Sequence, residues 1–296
     1  MSKTRPQLLA AYWTLAGDVY PGAPTEVSPY PLQDRAQAAA KAGWRGMGLV
    51  HADLMSNAAK LGLSGIKRVL DDHGIVHVEV EFLSDWFLNP SDPRRRVSDK
   101  VRGELLECAA VLKARNLKIS PQLFVDGTPE IPVDIPRLRD EFARLCEQAR
   151  PTGANVLIEM MPFTNVKTID TAMAVIAGAD QPNGGLLLDV WHLVRGGMDY
   201  SEIAKIPARF LKGIELDDAD EAVVGTLFED TRFSRRLCGE GSFDLPTFIE
   251  GVVAAGFDAP YYGVEIISER YRKQPLDVMA RSSYESTMRV FEGLRV

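Results

Sequence analysis

Eight short apolar runs recur along the chain, and each is separated from the next by a longer stretch of helical character. The runs cover residues 8–15, 44–50, 75–83, 117–124, 155–161, 185–191, 210–216 and 261–267. Between them lie segments such as QDRAQAAAKAG, SGIKRVLDDHG, DKVRGELLECAAVLKARN and IPRLRDEFARLCEQARPTG. A short apolar run bounded by turn residues reads as a strand buried on both faces. Strands that alternate with helices form parallel βαβ units, because a parallel neighbour is reached only by a crossover. Eight units in 296 residues predict an α/β fold, a (β/α)₈ TIM barrel forming one domain over residues 1–296. A doubly wound open sheet is the competing arrangement. It calls for a glycine-rich phosphate turn after the first strand, and YWTLAGDVYPG is not G-x-G-x-x-G. Gly43, Gly74, Gly153 and Gly256 each stand between a helical segment and the next run, as helix C-caps do.

A barrel makes a demand on each strand. Outward residues are covered by helices and are apolar; inward residues near the top are free to be polar. In the third run, Val76, Val78, Val80 and Phe82 alternate with His77, Glu79 and Glu81, which places the polar set toward the axis. The same parity turns Glu159, Asp189, Glu215 and Glu265 inward at the C-terminal ends of strands five to eight. Asp189 follows Glu159 by 30 residues and Glu215 follows Asp189 by 26, one βα unit each time. Glu265 follows Glu215 by 50, one unit plus a long loop over residues 219–243. A long loop at this end of a barrel reads as a lid or a substrate-binding element. It carries Arg232, Arg235, Arg236 and the turn Gly239-Glu240-Gly241.

A carboxylate at the end of a buried strand is costly unless a cation meets it. The basic residues nearest in sequence are Lys167 and Lys212, so extensive pairing with lysine or arginine is not expected. Four carboxylates on four successive strands point instead to a shared metal ion. An all-oxygen set suits Mn²⁺ or Mg²⁺, with Co²⁺ as a substitute, better than zinc. His192, three residues after Asp189, is placed to position a substrate hydroxyl or simply to satisfy a loop; His51 after the second strand is a weaker candidate of the same kind. Trp13, Trp86 and Trp191 follow or end strands one, three and six. Each can stack on the apolar face of a sugar or fill core. Glu81 belongs to the inward polar set, and Arg235 or Arg236 can meet a phosphate or carboxylate, with Arg236 carried forward as a substrate-binding candidate.

Charge narrows the partners. The net charge is −7, which argues against nucleic acid and anionic membranes. The dense basic cluster Arg94, Arg95, Arg96 reads as a solvated loop or helix start. No long apolar stretch or leader pattern stands at the N-terminus, so a cytoplasmic location is expected. Cys108, Cys146 and Cys238 lie far apart with no C-x-x-C pair, which disfavours disulfides and a zinc-thiolate site.

The segments VLIEMMPF, LLLDVWH, FLKGIELDD, RRLCGEGSFDLPTFIEGVVAAGFDAPYYGVEI and, more weakly, HVEVEFLSDW together resemble the xylose-isomerase-like sugar phosphate isomerase/epimerase superfamily. The resemblance implies that Glu159, Asp189 and Glu265 are metal ligands and that His192 touches substrate. It also implies that Glu159 and Glu265 flank the sugar as an acid/base pair. Strand seven departs from it: the superfamily usually reads His-x-Lys-Asp there, and this chain has Glu215, Leu216, Asp217 and Asp218. Glu215 then either replaces the histidine as an oxygen ligand or weakens the site. The expectation is a metal-dependent isomerase or epimerase of a keto-sugar or related polyol, with barrels of this kind often pairing as homo-oligomers. A lyase or dehydratase acting on a keto-inositol or keto-glycoside is the alternative, and a non-catalytic sugar-binding barrel is a third reading.

Overall fold

The computed structural model describes residues 6–122 and 131–294. Among them, eight parallel strands close into a barrel in sequence order. They are β1 (Gln7–Ala10), β2 (Gly46–Val50), β3 (His77–Leu83), β4 (Asn116–Ile119), β5 (Asn155–Glu159), β6 (Gly184–Asp189), β7 (Leu211–Leu216) and β8 (Tyr261–Val264). All eight expected runs contain a strand. The fourth run reaches Leu123 and Phe124, which lie outside the described residues. The first run is shorter as a strand than expected, because after Ala10 the chain curls into a 3₁₀ turn, Tyr12–Leu15, at the barrel mouth.

Local chemistry sets where the helices begin and end. Asp92 accepts a hydrogen bond from the Arg94 amide and precedes Pro93, so the helix Pro93–Leu112 starts with a filled cap and a preset φ. Asp134 does the same for Ile135–Ala149, which also has a proline in its first turn. Gly43 ends the helix Leu32–Ala42 at φ +112°, a conformation that L side chains rarely adopt. The Arg94–Arg96 cluster is the first turn of Pro93–Leu112, but its middle member is not solvated. Arg95 is buried, and its guanidinium meets Asp99, Glu141 and the Leu88 carbonyl.

The strands divide the protein into two apolar regions. Outward residues such as Val78, Val80, Leu117, Ile158, Leu188 and Ile214 pack with the helices into one large core. Inside the barrel, Leu9, Leu157 and Leu187 are buried but belong to no such cluster. Glycine makes room for them: a Cβ on Gly213 would stand 2.6 Å from Leu187 and 2.8 Å from Leu157. Parity in β3 holds for His77, Glu79 and Glu81 and fails at both ends of the apolar set. Val76 precedes the strand and is exposed. Phe82 turns to the mouth, where the β3–β4 register shifts between Val80 and Leu83.

Candidate active site

A cavity of about 350 Å³ opens at the C-terminal end of the barrel. Its floor is ionic. Glu81, Glu159, Glu265, His192 and Arg235 border it. Its walls are mainly apolar, from Trp13, Val50, Phe82, Met161, Phe163 and Phe228. His51 also borders it, with Nε2 2.8 Å from Glu104 Oε2. Glu26, not anticipated from sequence, lines one wall and accepts from the Gly22 amide at 2.8 Å; burial pushes its carboxyl up.

The expected quartet converges. Glu159, Asp189, Glu215 and Glu265 each offer an oxygen, and these atoms lie within 4.8 Å of one another. They occupy two levels. Glu159 and Glu265 face the cavity, whereas Asp189 and Glu215, 1% and 0% exposed, lie beneath it. Asp189 also caps the helix Val190–Arg195 by accepting from the Trp191 amide at 2.7 Å. That helix brings His192 over the floor, with Nε2 3.2 Å from Glu159 Oε1 and 3.8 Å from Asp189 Oδ2.

The expectation that few basic residues meet these carboxylates is overturned. Lys118, on β4, sends its ammonium to Glu81 Oε2 at 2.8 Å, Glu215 Oε1 at 2.7 Å and Glu265 Oε1 at 3.5 Å. Arg235, from the loop after β7, meets Asp189 Oδ2 at 2.8 Å, Glu265 Oε2 at 3.2 Å and Asp217. Both cations are 1% exposed or less. A sequence signal for Lys118 existed: Asn116, Lys118 and Ser120 alternate with Leu117 and Ile119, the same parity that marked β3.

Five carboxyl groups, Glu81, Asp189, Glu215, Asp217 and Glu265, therefore share two permanent cations, and a sixth, Glu159, meets His192. Burial raises Glu215 and Asp217 well above the usual carboxylate range despite Lys118 and Arg235 beside them. Burial also raises Glu265, to about 8, with Glu159 and Asp189 adding repulsion against the pull of Lys118 and Arg235. Burial would raise Asp189 too, but Arg235, His192 and the Trp191 amide outweigh it and hold that carboxyl low. For Lys118, burial disfavours the charge and the surrounding glutamates more than restore it.

A divalent ion fits the donors present. The set is all oxygen, its carboxyl groups outnumber the two buried cations beside them, and Glu215 Oε2 is buried with no hydrogen-bond partner. Asp217 Oδ1 and His192 Nδ1 are also buried without partners. Unpaired buried polar atoms are rare and point to a missing ligand, ion or water.

Two sequence candidates lie elsewhere. Trp86 is 1% exposed, donates to the Ser120 carbonyl at 3.0 Å and packs on Phe87 and Phe142. It fills core because the chain after β3 folds back onto the helices. Arg236 faces solvent and pairs with Asp220 at 2.6 Å. Its amide bonds to the Asp218 carbonyl, and this bridge turns Arg236 outward and its neighbour Arg235 inward. Trp191, fully buried, stacks edge-on against His192 and under Arg235.

The loop over residues 219–243 is anchored at both ends. Asp218 accepts from the amides of Ala219, Gly239, Gly241 and Phe243 at 2.9–3.0 Å. Within it, the helix Leu227–Phe233 is tied to Arg195 through Asp230 at 3.0 Å. Phe228, Thr231 and Arg235 from this segment form one side of the cavity.

A closed parallel barrel with an acidic cluster at its C-terminal mouth is the layout of (β/α)₈ enzymes. A family model for the xylose isomerase-like TIM barrel matches residues 36–290, and the chain belongs to that family. It is similar to the 3-dehydroshikimate dehydratase of Pseudomonas aeruginosa, at 30% identity over 159 residues, 53% of this chain and 25% of that protein. It is also similar to the inosose isomerase of Bacillus subtilis, at 22% identity over 153 residues, 51% of this chain and 54% of that protein. The matched part thus spans between a quarter and about half the length of these curated relatives. Among solved structures, the IolI protein with a bound zinc atom superposes with a TM-score of 0.81 over 98% of this chain and 100% of its own. At 17% identity that likeness concerns the fold. These relatives include enzymes of both the isomerase and the dehydratase kind. No described helix is long and apolar enough to cross a membrane.

Proposed function

We propose that this chain removes a proton α to the carbonyl of a small polyol ketone and returns it elsewhere, as a metal-dependent isomerase or epimerase. The observation that carries the reading is that Glu159 and Glu265 border one cavity, with cations on Glu265 itself and on Asp189 and Glu215 beneath it. Glu159, Asp189 and Glu265, with Glu215 Oε2 as the fourth oxygen, would hold a divalent ion. Such an ion acts as a Lewis acid on the carbonyl and a neighbouring hydroxyl.

The chain's own residues supply the rest. One glutamate accepts the proton from the carbon α to the carbonyl, and the electron pair of that C–H bond moves onto the carbonyl oxygen to give an enediolate. The other glutamate delivers a proton to the opposite face or to the neighbouring carbon. His192, against Glu159, and Arg235, against Glu265, orient the two carboxylates and offer donors to substrate oxygens. The apolar walls exclude water from the intermediate.

A dehydratase outcome is the second reading, and the walls favour it. Met161, Phe163, Phe228 and Ile267 offer no partners to the hydroxyls of a fully hydroxylated sugar. If the second carboxyl protonates a β-hydroxyl, that group leaves as water and an enone remains. Incubation with an inosose and with 3-dehydroshikimate in heavy water, followed by NMR, tests both readings. Deuterium in recovered ketone supports isomerisation, loss of water supports dehydration, and no exchange in any ketone tried sinks the shared first step. Replacing Glu265 by Gln is expected to lower turnover by about 10²–10⁴-fold, the usual worth of a positioned acid or base. Full activity in that variant would remove Glu265 from the role.

A further inference from the structure

We infer that Lys118 is the barrel's built-in counter-cation: it holds Glu81, Glu215 and Glu265 in place before any ion arrives, and competes with a divalent ion for Glu215 and Glu265. The competition rests on the metal-dependent reading above; the holding role does not.

Lys118 is fully buried and does not border the cavity, so its ammonium serves the carboxylates above it rather than substrate. It reaches one oxygen from each of β3 and β7 and a third from the residue after β8. A compact ammonium with three protons suits three separate oxygens better than a planar guanidinium does. Glu215 depends on it. Among the described residues, Lys118 is the donor to Glu215 Oε1, and Oε2 has none. The barrel is shaped for this pair. Gly263 lies beside Glu215 in the β7–β8 register, and a Cβ there would stand 2.8 Å from Glu215 Cγ. Glycine at 263 opens the path by which Glu215 enters the barrel interior, where Lys118 meets it.

Carboxyl groups gathered this closely repel one another whenever they ionise, and Arg235 reaches only Asp189, Asp217 and Glu265 among them. Lys118 supplies a second cation covalently, so the folded cage does not wait for an ion. The same ammonium lowers the field an incoming ion experiences, which weakens binding in exchange for a preformed geometry.

The test uses the full chain as wild type, Lys118→Met, Glu215→Gln and the double variant. Urea unfolding in chelator reads the holding role. Lys118→Met is expected to lower the midpoint, and adding Glu215→Gln to it is expected to move the midpoint back toward wild type. The double variant keeps the local charge balanced, so it remains informative if Lys118→Met fails to fold. Equal midpoints for wild type and Lys118→Met, or strictly additive effects of the two substitutions, would overturn the holding role. Mn²⁺ titration by calorimetry and by thermal shift reads the competition. Lys118→Met is expected to bind Mn²⁺ about tenfold tighter or more than wild type. Its melting temperature should also rise further with the ion. Equal or weaker binding overturns the competition. No binding in either protein overturns the metal reading and the competition with it, while the midpoints in chelator still decide the holding role.

Discussion

The barrel interior holds two polar layers that solve the same problem differently. In the lower layer, Glu79 is buried at 2% exposure and accepts from Asn116 Nδ2 and from Tyr261 Oη, both at 2.7 Å. Two neutral donors satisfy one carboxyl oxygen, and burial raises that carboxyl above its ordinary range. In the upper layer, Lys118 and Arg235 hold five carboxyl groups and His192 meets a sixth, Glu159, while Glu215 Oε2, Asp217 Oδ1 and His192 Nδ1 are buried without partners. The lower layer is closed to the cavity; the upper layer opens on it. A carboxyl group that fills a fold can be quenched by amide and phenol. One that must bind an ion or move a proton has to stay chargeable, and a chargeable buried group needs a cation at hand.

Substitution should separate the layers most sharply in turnover. Glu265→Gln is expected to cost about 10²–10⁴-fold in kcat, whereas Glu79→Gln should leave kcat within about threefold. Comparable losses in both would erase the distinction between a chemical layer and a packing layer. Arg235→Met comes next. It takes the guanidinium from Asp189 and Asp217 and leaves Glu265 only Lys118, and the expected loss is about 3–5 kcal/mol of unfolding free energy. Urea denaturation measures it. A loss below about 1 kcal/mol, the range of an exposed pair, would mean that Arg235 does not hold the upper layer together.

The sequence made some of this legible and hid the rest, for identifiable reasons. The eight runs and their spacing required only local periodicity, and the closed barrel follows them. The quartet was legible because one βα unit separates its members and strand parity points them inward. Lys118 carried the same parity signal, but its partners stand on other strands, Glu215 97 and Glu265 147 positions along the chain. Nothing local links them. Arg235 and Arg236 are adjacent, and the bridge between Asp218 and Arg236 decides which of them enters the site. Trp86 shows the converse: a tryptophan just past a strand end suits a sugar platform and core equally, and only the fold-back that buries it decides.

Smaller effects belong to the lower layer. Tyr261→Phe removes one of the two donors to Glu79 and leaves Asn116, so a loss of about 1–3 kcal/mol in stability is expected, with kcat unchanged. A loss of kcat at saturating substrate would show that the layers are coupled through Lys118.

The smallest effect concerns His77, at the foot of β3 on the same inward face. Its Nε2 stands 2.6 Å from Gln7 Oε1, and burial, with Arg115 and Arg45 nearby, holds its pKa down to about 4 from 6.5. In the unfolded chain the imidazole takes up its proton near 6.5; in the folded chain it does so only near 4. Between these values the unfolded state binds more protons, so His77 makes stability fall as pH drops through that window. Substitution by Gln preserves a partner for Gln7 and removes the titration. The urea midpoint of His77→Gln should therefore decline less than that of wild type between pH 7 and pH 4.5. The ring is only half-buried, so solvent screening keeps the difference modest. An identical decline in both proteins would take the acid sensitivity away from His77 without handing it to the upper layer, because Glu215, Asp217 and Glu265 are raised on folding and so favour the folded state as pH falls.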